Sequence, residues 1–367
     1  MGQNKFQNLF SWSHLNHSLN FTELDRNNIE LILEGKILTN TWSYNENIFK
    51  KNMIFNLIKK GATLKLISIQ KTIPLIYNFT SNLRQDIGYD INVNAYCSSP
   101  EKQAYNCHYD CHEIFILQIE GTKKWDILRD TFKYPLKHHK SVFMQPPEVE
   151  PYLKCTLNPG DVLYIPRGHW HYAQAFEQPS LHLSVGVNCA SGSSFLEWVT
   201  QEIQKTEENW RKNLPSYTME DNGATLNNYL ESLIKELIEY VTNDNLKSQY
   251  LDYLIALEQP YNKFSLPFQM GFNIFKNGID TKFYRSKLQR IRIWEINPHE
   301  YKVNIWNKEV HFKRVNKLFL TNLFDSEQFT GLNVSTWLPE LDWETEIVPI
   351  LTSLVREEII FVDQNDS

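Results

Sequence analysis

Residues 107–128 read CHYDCHEIFILQIEGTKKWDIL. This stretch has the composition of a buried β-strand, yet it begins with His108, Asp110 and His112 at alternate positions. Residues two apart in an extended strand project to the same side. The pattern therefore predicts that a carboxylate and one or two imidazoles share one face of a core strand.

A second polar motif lies downstream, where residues 157–174 read LNPGDVLYIPRGHWHYAQ. Pro and Gly separate structural elements, so His169 and His171 are predicted at the entry of a new strand. Two imidazoles and one carboxylate on one side of a metal form the 2-His-1-carboxylate arrangement of non-haem Fe(II) oxygenases, which leaves positions open. A structural zinc site would instead be closed by four ligands, often including Cys.

The predicted metal ligands are His108, Asp110 and His171. A lone His-x-Asp is common by chance, and the prediction depends on both motifs together. His169 could share a face with His171, so alternation alone does not exclude it, although one downstream ligand is enough. His112 is predicted to line the pocket or to orient a carboxylate.

Composition sets further bounds. A chain of 367 residues predicts two or three domains, and its formal charge of −6 gives no reason to expect nucleic acid or an anionic membrane as partner. The five cysteines are an odd number without a CxxC pair, which indicates free thiols in a reducing cytosol. Neither a signal peptide nor a membrane-spanning apolar run is visible. We therefore expect a cytoplasmic protein.

Residues 1 to about 190 are rich in short β-runs separated by Pro, Gly and Asn clusters. These runs are GATLKLISI, YDINVNAYC, HEIFILQIEG, KKWDIL, GDVLYIP and SLHLSVGVN. Many short strands without regular intervening helices favour a sandwich or barrel over a parallel doubly wound sheet.

From about 193 to 265 the pattern becomes helical. Apolar residues recur at three- and four-residue steps: Leu226, Leu230, Leu233, Ile234, Leu237, Ile238 and Val241. Such a stripe is typical of a helix packed on its own domain, which the sequence favours, or of a helical subunit interface.

From about 290 short strands (RIRIW, YKVNIW, EVHF) are followed by helical runs and a closing EEIIFVD, a pattern that suggests a winged-helix module. Residues 290–367 hold 8 Lys and Arg against 13 Asp and Glu, a net charge of −5. A phosphate-binding surface needs clustered positive charge. The module is therefore interpreted as a protein-contact or structural element.

The segments HYDCHEIFILQIEGTKKW, LNPGDVLYIPRGHWH and SLHLSVGVN resemble the JmjC-type, cupin-like oxygenases of the ribosomal oxygenase family, which are Fe(II)- and 2-oxoglutarate-dependent protein hydroxylases. The resemblance implies an α+β chain with a double-stranded β-helix (JmjC/cupin jelly-roll) catalytic domain over 1–192. It further implies a helical dimerisation region over 193–285, a winged-helix-like domain over 286–367, and a homodimer.

The resemblance also implies roles for individual residues. His108, Asp110 and His171 match the iron ligands of the family, with 2-oxoglutarate and O2 as co-substrates. Lys123 in GTKKW matches the basic residue that pairs with the far carboxylate of 2-oxoglutarate. The other matching positions are Tyr96 and Asn94 in NVNAYCS, which would hydrogen-bond the co-substrate, and Ser184 in HLSVG. His169 departs from the apolar or aromatic residue expected there.

The resemblance leaves the substrate open. A side chain of a ribosomal protein is favoured, a ribosomally made precursor peptide is the rival, and N-methyl-lysine demethylation is disfavoured. A non-catalytic cupin-like scaffold that binds a partner is the alternative from another class, and the complete triad argues against it.

Overall fold

The computed structural model describes residues 6–25, 27–38, 50–100, 102–217, 219, 221–257, 264–286, 291–305 and 308–363. The chain divides into two compact units, Met1–Ser191 and Gly192–Ser367. The further boundary at 285/286 stays a prediction. Within the described ranges, no helix is both long and apolar enough to cross a lipid bilayer.

The first unit is a sheet with helices packed on one face. Its helices are α1 (Trp12–Phe21), α2 (Lys51–Lys59) and α3 (Pro74–Ile87). Its strands are β1 (Ile29–Leu33), β2 (Lys36–Ile37), β3 (Thr63–Leu66), β4 (Asp90–Ser98), β5 (Glu113–Leu128), β6 (Leu153–Leu157), β7 (Val162–Ile165) and β8 (Trp170–Asn188). The described strands form one antiparallel sheet in the order β2-β1-β3-β4-β8-β5-β6, with β7 also paired to β5. This is the β-rich first domain that the sequence predicts.

Strands β5 and β8 are longer than the sequence pattern suggests. HEIFILQIEG and KKWDIL are one strand in the structure, and its register with β8 shifts between Gln118 and Thr122. Gly121 lies within this irregularity at φ +66, and a Cβ there would approach the carbonyl oxygen of Pro179 to 2.1 Å. Only glycine fits both constraints. Before Gly121, β5 pairs with β7 through Ile114–Leu117, and after it β5 pairs with β6 through Lys123–Ile127.

The two faces of this sheet have different roles. Ile91, Val93 and Ala95 of β4 belong to an apolar cluster that also contains residues of α1, α2 and α3. Because side chains alternate along a strand, Tyr96 lies on the opposite face, where β8 presents His182. The cavity described below lies on this second face.

The second unit begins with helices α4 (Gly192–Thr206), α5 (Ala224–Thr242) and α6 (Asp244–Ala256), as the helical pattern predicts. The apolar stripe of α5 divides into two sides. Leu233 is buried, and Leu237 and Val241 pack on the cluster around Trp198. Leu230, Ile234 and Ile238, four residues apart, are 38%, 56% and 55% exposed. One side therefore packs within the unit and the other does not.

The rest of the second unit contains two small antiparallel sheets and further helices. The strands are β9 (Lys282–Tyr284), β10 (Ile291–Asn297), β11 (Glu300–Ile305), β12 (Lys308–Lys313), β13 (Gln328–Thr330) and β14 (Phe361–Val362). The helices are α7 (Lys317–Asp325), α8 (Gly331–Trp337) and α9 (Val348–Arg356). The sheets run β10-β11-β12 and β13-β9-β14. The short strands and helices predicted after 290 are present in the described residues. Arg290, the first residue of RIRIW, and Trp306, the last residue of YKVNIW, lie outside the described residues.

Candidate metal centre and its cavity

The structure brings His108, Asp110 and His171 together. One ligand atom from each lies within 4.8 Å of the others, and this is the group of potential metal ligands found among the described residues. Nε2 of His171 is 3.5 Å and Nε2 of His108 is 3.9 Å from Oδ2 of Asp110. These separations are at or beyond the limit of a hydrogen bond. The carboxylate and the two imidazoles therefore face one another without forming strong hydrogen bonds between them. Two imidazoles and a carboxylate in this relation fit a divalent transition metal.

The local backbone differs from the predicted strand. Strand β5 begins at Glu113, and residues 107–112 form an irregular segment before it. His108 is tied to His171 by a single antiparallel bridge, with His108 N–H to His171 O at 3.1 Å and His171 N–H to His108 O at 2.7 Å. This bridge, rather than strand alternation, brings the motifs together. Tyr109, between the two ligands, is buried edge-on against Trp170 and donates its hydroxyl to the carbonyl of His139.

Backbone carbonyls orient both imidazoles. Nδ1 of His108 lies 2.8 Å from the carbonyl oxygen of Asn106, and Nδ1 of His171 lies 3.1 Å from that of His169. A carbonyl can only accept, so each Nδ1 carries the hydrogen and each Nε2 presents a lone pair. Such partners fix the tautomer and direction of metal-binding histidines.

Charge and burial favour the metal-binding protonation states. Burial alone would raise the pKa of Asp110, but the facing imidazoles of His108 and His171 hold the pKa below its ordinary value. Burial lowers the pKa of His171 to about 4, with His108 acting in the same direction and Asp110 against it. At neutral pH the site therefore offers a carboxylate and a neutral His171.

Gly168 lies in the turn that precedes His171 and fixes the backbone conformation of that turn. Its N–H donates to the carbonyl oxygen of Asp110 at 2.9 Å, its φ is +87, and a Cβ would lie 2.9 Å from the carbonyl oxygen of Phe132. Glycine adopts this left-handed conformation without steric cost.

Replacing Gly168 with alanine is expected to lower the free energy of unfolding by about 1–3 kcal/mol, because the new methyl group meets both backbone strain and a fixed carbonyl. Urea denaturation measures this loss. Gly192→Ala is the matched control, since nothing lies within 4 Å of the position that its added methyl group would take and its φ is not in the positive range. Equal stability of the two variants would contradict the role given to Gly168.

A cavity extends from the ligands into the sheet. Its lining includes Tyr96, Tyr105, Ile114, Ile116, Lys123, Trp125, Ala173, His182 and Ser184 together with the three ligands. Of the predicted co-substrate residues, Lys123, Tyr96 and Ser184 thus lie on this cavity. Lys123 is 4% exposed and its Nζ donates to Oγ of Ser98 at 2.9 Å. Burial lowers the pKa of Lys123 to about 7.

Three other residues singled out in the sequence lie elsewhere. Asn94 is not among the cavity-lining residues, and its amide oxygen accepts from the N–H of Ser68 at 3.0 Å. The ring of His112 lies against Gly186, where a Cβ would approach it to 2.7 Å. His169 hydrogen-bonds the hydroxyl of Tyr152 through Nδ1 at 2.8 Å and is outside the metal-ligand group.

Sequence reasoning missed a polar cluster that reaches the cavity at Tyr105. Nζ of Lys65 donates to Oε2 of Glu30 at 2.8 Å, and the hydroxyl of Tyr105 donates to the same oxygen at 3.1 Å. Burial lowers the pKa of Lys65, but Tyr96 and Glu30 act more strongly together and raise it. The ring of Tyr105 also lies 5.3 Å from that of His108. The sequence signal for this cluster was Lys65 itself, the single charged residue in the apolar run TLKL.

His182 was missed as well. It is 2% exposed, stacks on Tyr96 with ring centroids 4.8 Å apart, and meets Trp125 edge-on at 5.7 Å. Its position two residues before Ser184 on β8 gives it the same face as that predicted residue. That spacing would have identified it.

Comparison with known proteins agrees with this geometry. Residues 74–195 match the model of the JmjC domain. The matched residues include the three candidate ligands, Lys123, Tyr96 and His182. The predicted JmjC/cupin jelly-roll fold is therefore confirmed, whereas the helical dimerisation region and the winged helix stay predictions.

The chain is similar to ribosomal oxygenases, as the sequence motifs predict. It is 33% identical to ribosomal oxygenase 1 of Rattus norvegicus over 178 residues, which are 46% of this chain and 30% of that protein. It is 29% identical over 193 residues to the bifunctional lysine-specific demethylase and histidyl-hydroxylase NO66 of Dictyostelium discoideum, covering 50% of this chain and 36% of that protein. The chain thus spans about a third of the length of these relatives.

Solved structures share the fold beyond the JmjC domain. The X-ray structure of E. coli ycfD aligns with a TM-score of 0.60 over 98% of this chain and 92% of that chain, at 16% identity. A structure of the same E. coli ribosomal oxygenase in complex with cobalt and 2-oxoglutarate aligns with a TM-score of 0.59 at 17% identity.

Proposed function

We propose that this chain is an Fe(II)- and 2-oxoglutarate-dependent oxygenase that hydroxylates a side chain of a protein or peptide. The observation that carries the proposal is the metal-ligand group of His108, Asp110 and His171, with both Nδ1 atoms held by carbonyls and both Nε2 atoms facing the carboxylate. Support comes from similarity to ribosomal oxygenases and from the E. coli structure that contains cobalt and 2-oxoglutarate.

His108, Asp110 and His171 would hold the ferrous ion. With 2-oxoglutarate bound, the iron supplies the oxidation, in which O2 delivers one oxygen atom to a substrate C–H bond and the other to succinate, with release of CO2. Lys123 would bind the far carboxylate of the co-substrate as a buried point charge. Tyr96 and Ser184 would line its path between lysine and metal.

The other wall residues exclude water and shape the approach. Ile114, Ile116 and Ala173 give the cavity an apolar lining next to the ligands. Tyr105 lies at the metal end and is held by Glu30. A substrate side chain that enters here would meet the metal beside an aromatic ring, with its polypeptide outside the cavity.

For the substrate, we favour a side chain of a ribosomal protein. Both relatives reported above support a protein substrate, since one is named a ribosomal oxygenase and the other a bifunctional lysine-specific demethylase and histidyl-hydroxylase. A precursor peptide remains the rival within the same chemistry. We place the protein in the cytoplasm, supported by five cysteines that are all free thiols in the structure.

The decisive experiment combines co-substrate turnover with substrate mass. Purified protein, Fe(II) and 2-oxoglutarate are incubated with ribosomal proteins and with peptides encoded nearby. We expect iron-dependent succinate formation and a gain of one oxygen atom, about 16 Da, on one substrate. Absence of succinate with every candidate, at full iron occupancy, would reject the enzyme in favour of the scaffold alternative.

We also propose that α5 forms a homodimer interface and that residues 286–367 form a winged-helix-like protein-contact module. The exposed apolar side chains of Leu230, Ile234 and Ile238 support the first part. The antiparallel β10-β11-β12 sheet, joined by α7, α8 and α9 in one apolar cluster, supports the second.

The double variant Ile234→Asp/Ile238→Asp is expected to convert the dimer to a monomer, because it places two charges in an apolar contact. Sedimentation velocity measures the change in mass. Ser232→Asp, an exposed position on another side of the same helix, is the matched control and should leave the dimer intact. A wild-type protein that sediments as a monomer would contradict the proposal.

A further inference from the structure

Two residues that line the cavity carry buried polar ring atoms without partners. Nδ1 of His182 and Nε1 of Trp125 are both buried, and neither has a hydrogen-bond partner among the described residues. A buried polar group left unpaired costs on the order of 1–3 kcal/mol. Since both residues line the cavity, a bound ligand is the natural source of the missing partner.

The packing around His182 fixes its ring. It stacks on Tyr96 with an interplanar angle of 2° and meets the ring of Trp125 at 87°. Strand β8 holds its backbone opposite Tyr96 of β4 and Gln118 of β5. A ring held on two sides in this way cannot swing out to find another partner.

Lys123 adds a third donor close by. Its Nζ lies 5.7 Å from the ring centroid of Trp125, which is itself 5.7 Å from that of His182. The ammonium has three hydrogens, and its hydrogen bond to Ser98 uses one. An ammonium, an indole N–H and an imidazole therefore belong to neighbouring residues that line the same cavity. A carboxylate, with about four lone-pair sites, is the ligand group that can accept hydrogen bonds from all of them.

We propose that His182, with Trp125 as a second donor, hydrogen-bonds the same carboxylate that Lys123 binds, and so makes this chain select an oxo diacid over an oxo monoacid. The inference rests on the proposed function, because it assigns the far end of 2-oxoglutarate to this group. Burial lowers the pKa of His182 well below its ordinary value, and Lys123 acts in the same direction. A neutral ring retains one N–H to donate without adding charge repulsion beside the lysine.

Calorimetric titration of the Co(II)-loaded protein without oxygen tests the assignment, using 2-oxoglutarate and 2-oxopentanoate, which lacks the far carboxylate. For wild type we expect much tighter binding of 2-oxoglutarate. His182→Phe keeps an aromatic ring but no N–H, and it should weaken 2-oxoglutarate about 10-fold or more, as expected for a hydrogen bond to a charged group. 2-Oxopentanoate has no far carboxylate to accept a hydrogen bond from His182. Its Kd should therefore change by less than about twofold.

Three further variants separate loss of a donor from a folding defect. His182→Asn retains a donor near the position of Nδ1 and should recover part of the loss. Trp125→Phe keeps an aromatic ring but removes the indole N–H, and it should also reduce the preference for the diacid. Trp210→Phe removes another buried unpartnered indole N–H, located in the second unit, and should leave both affinities unchanged. Co(II) affinity and circular dichroism should match wild type in every variant.

The outcomes separate the two proposals. If wild type binds 2-oxoglutarate and both His182→Phe and Trp125→Phe keep the wild-type preference for the diacid, the assignment of His182 is overturned while the proposed function stands. If wild type binds neither oxo acid in the presence of metal, the proposed function fails and the assignment fails with it.

Discussion

Asp110→Ala is expected to abolish turnover and to weaken Fe(II) or Co(II) binding by at least about 100-fold, more than loss of a group that only supports a ligand. The carboxylate is the one anionic member of the ligand group, and it faces the imidazole rings of His108 and His171. Without it, two neutral nitrogens would have to hold a divalent ion. Metal affinity is measured by calorimetry, and turnover by succinate formation.

Asp126→Ala is the matched control for this prediction. Asp126 lies on β5 next to Trp125, and because residues alternate along a strand its side chain points away from the cavity. The control should bind metal and 2-oxoglutarate as wild type does. Wild-type metal affinity in Asp110→Ala would show that the ligand assignment is wrong, whatever the effect on activity.

Lys123→Ala is expected to raise the Kd for 2-oxoglutarate by about 30- to 5,000-fold, because removing one partner of a buried charge pair costs roughly 2–5 kcal/mol. Metal binding should be unaffected, since Lys123 is not in the ligand group. Lys124→Ala is the matched control. Lys124 is exposed on the other side of β5, with its Nζ 3.5 Å from the ring centroid of Phe176.

The same lysine gives 2-oxoglutarate binding a pH dependence. Burial lowers the pKa of Lys123 to about 7 in the free protein, and a bound carboxylate favours the charged form. Binding above pH 7 must therefore take up a proton, and the wild-type Kd should rise up to about tenfold per pH unit. Below pH 7 it should be nearly constant. Calorimetric titrations in buffers of different ionisation enthalpy measure the number of protons taken up when 2-oxoglutarate binds.

Two outcomes would contradict this account. One is a wild-type Kd that is constant from pH 6 to pH 9, the range on both sides of the lowered pKa. The other is full proton uptake at pH 8 in Lys123→Ala. The lowered pKa also affects the free protein. The folded state holds this proton less tightly than the unfolded chain, so the contribution of Lys123 to the free energy of unfolding increases as pH rises from about 7 towards the ordinary value of 10.5.

The sequence predicted the parts of the site that depend on local pattern. His108, Asp110 and His171 stood in two short motifs, each bounded by turn residues, and the structure places all three in one group. Lys123 depended on the resemblance, because a lysine near a strand end is by itself compatible with a solvated position. Its burial comes from strands that are distant in the chain.

The parts that could not be predicted depend on long-range pairing. The alternation rule implied a strand through residues 107–112, but Tyr109 is drawn into a separate apolar contact with Trp170, and the regular strand starts only at Glu113. His112 is the last residue of this irregular segment and packs against Gly186, which is far along the chain. No local pattern reports which of several polar residues will meet across strands.

The amide bridge between His108 and His171 has a consequence for how the ligand group is assembled. Two of the three ligands are joined by main-chain hydrogen bonds in which no side chain takes part. The spacing of their two backbone segments is therefore set by strand pairing, and a side-chain substitution at either position should leave the other ligand in place.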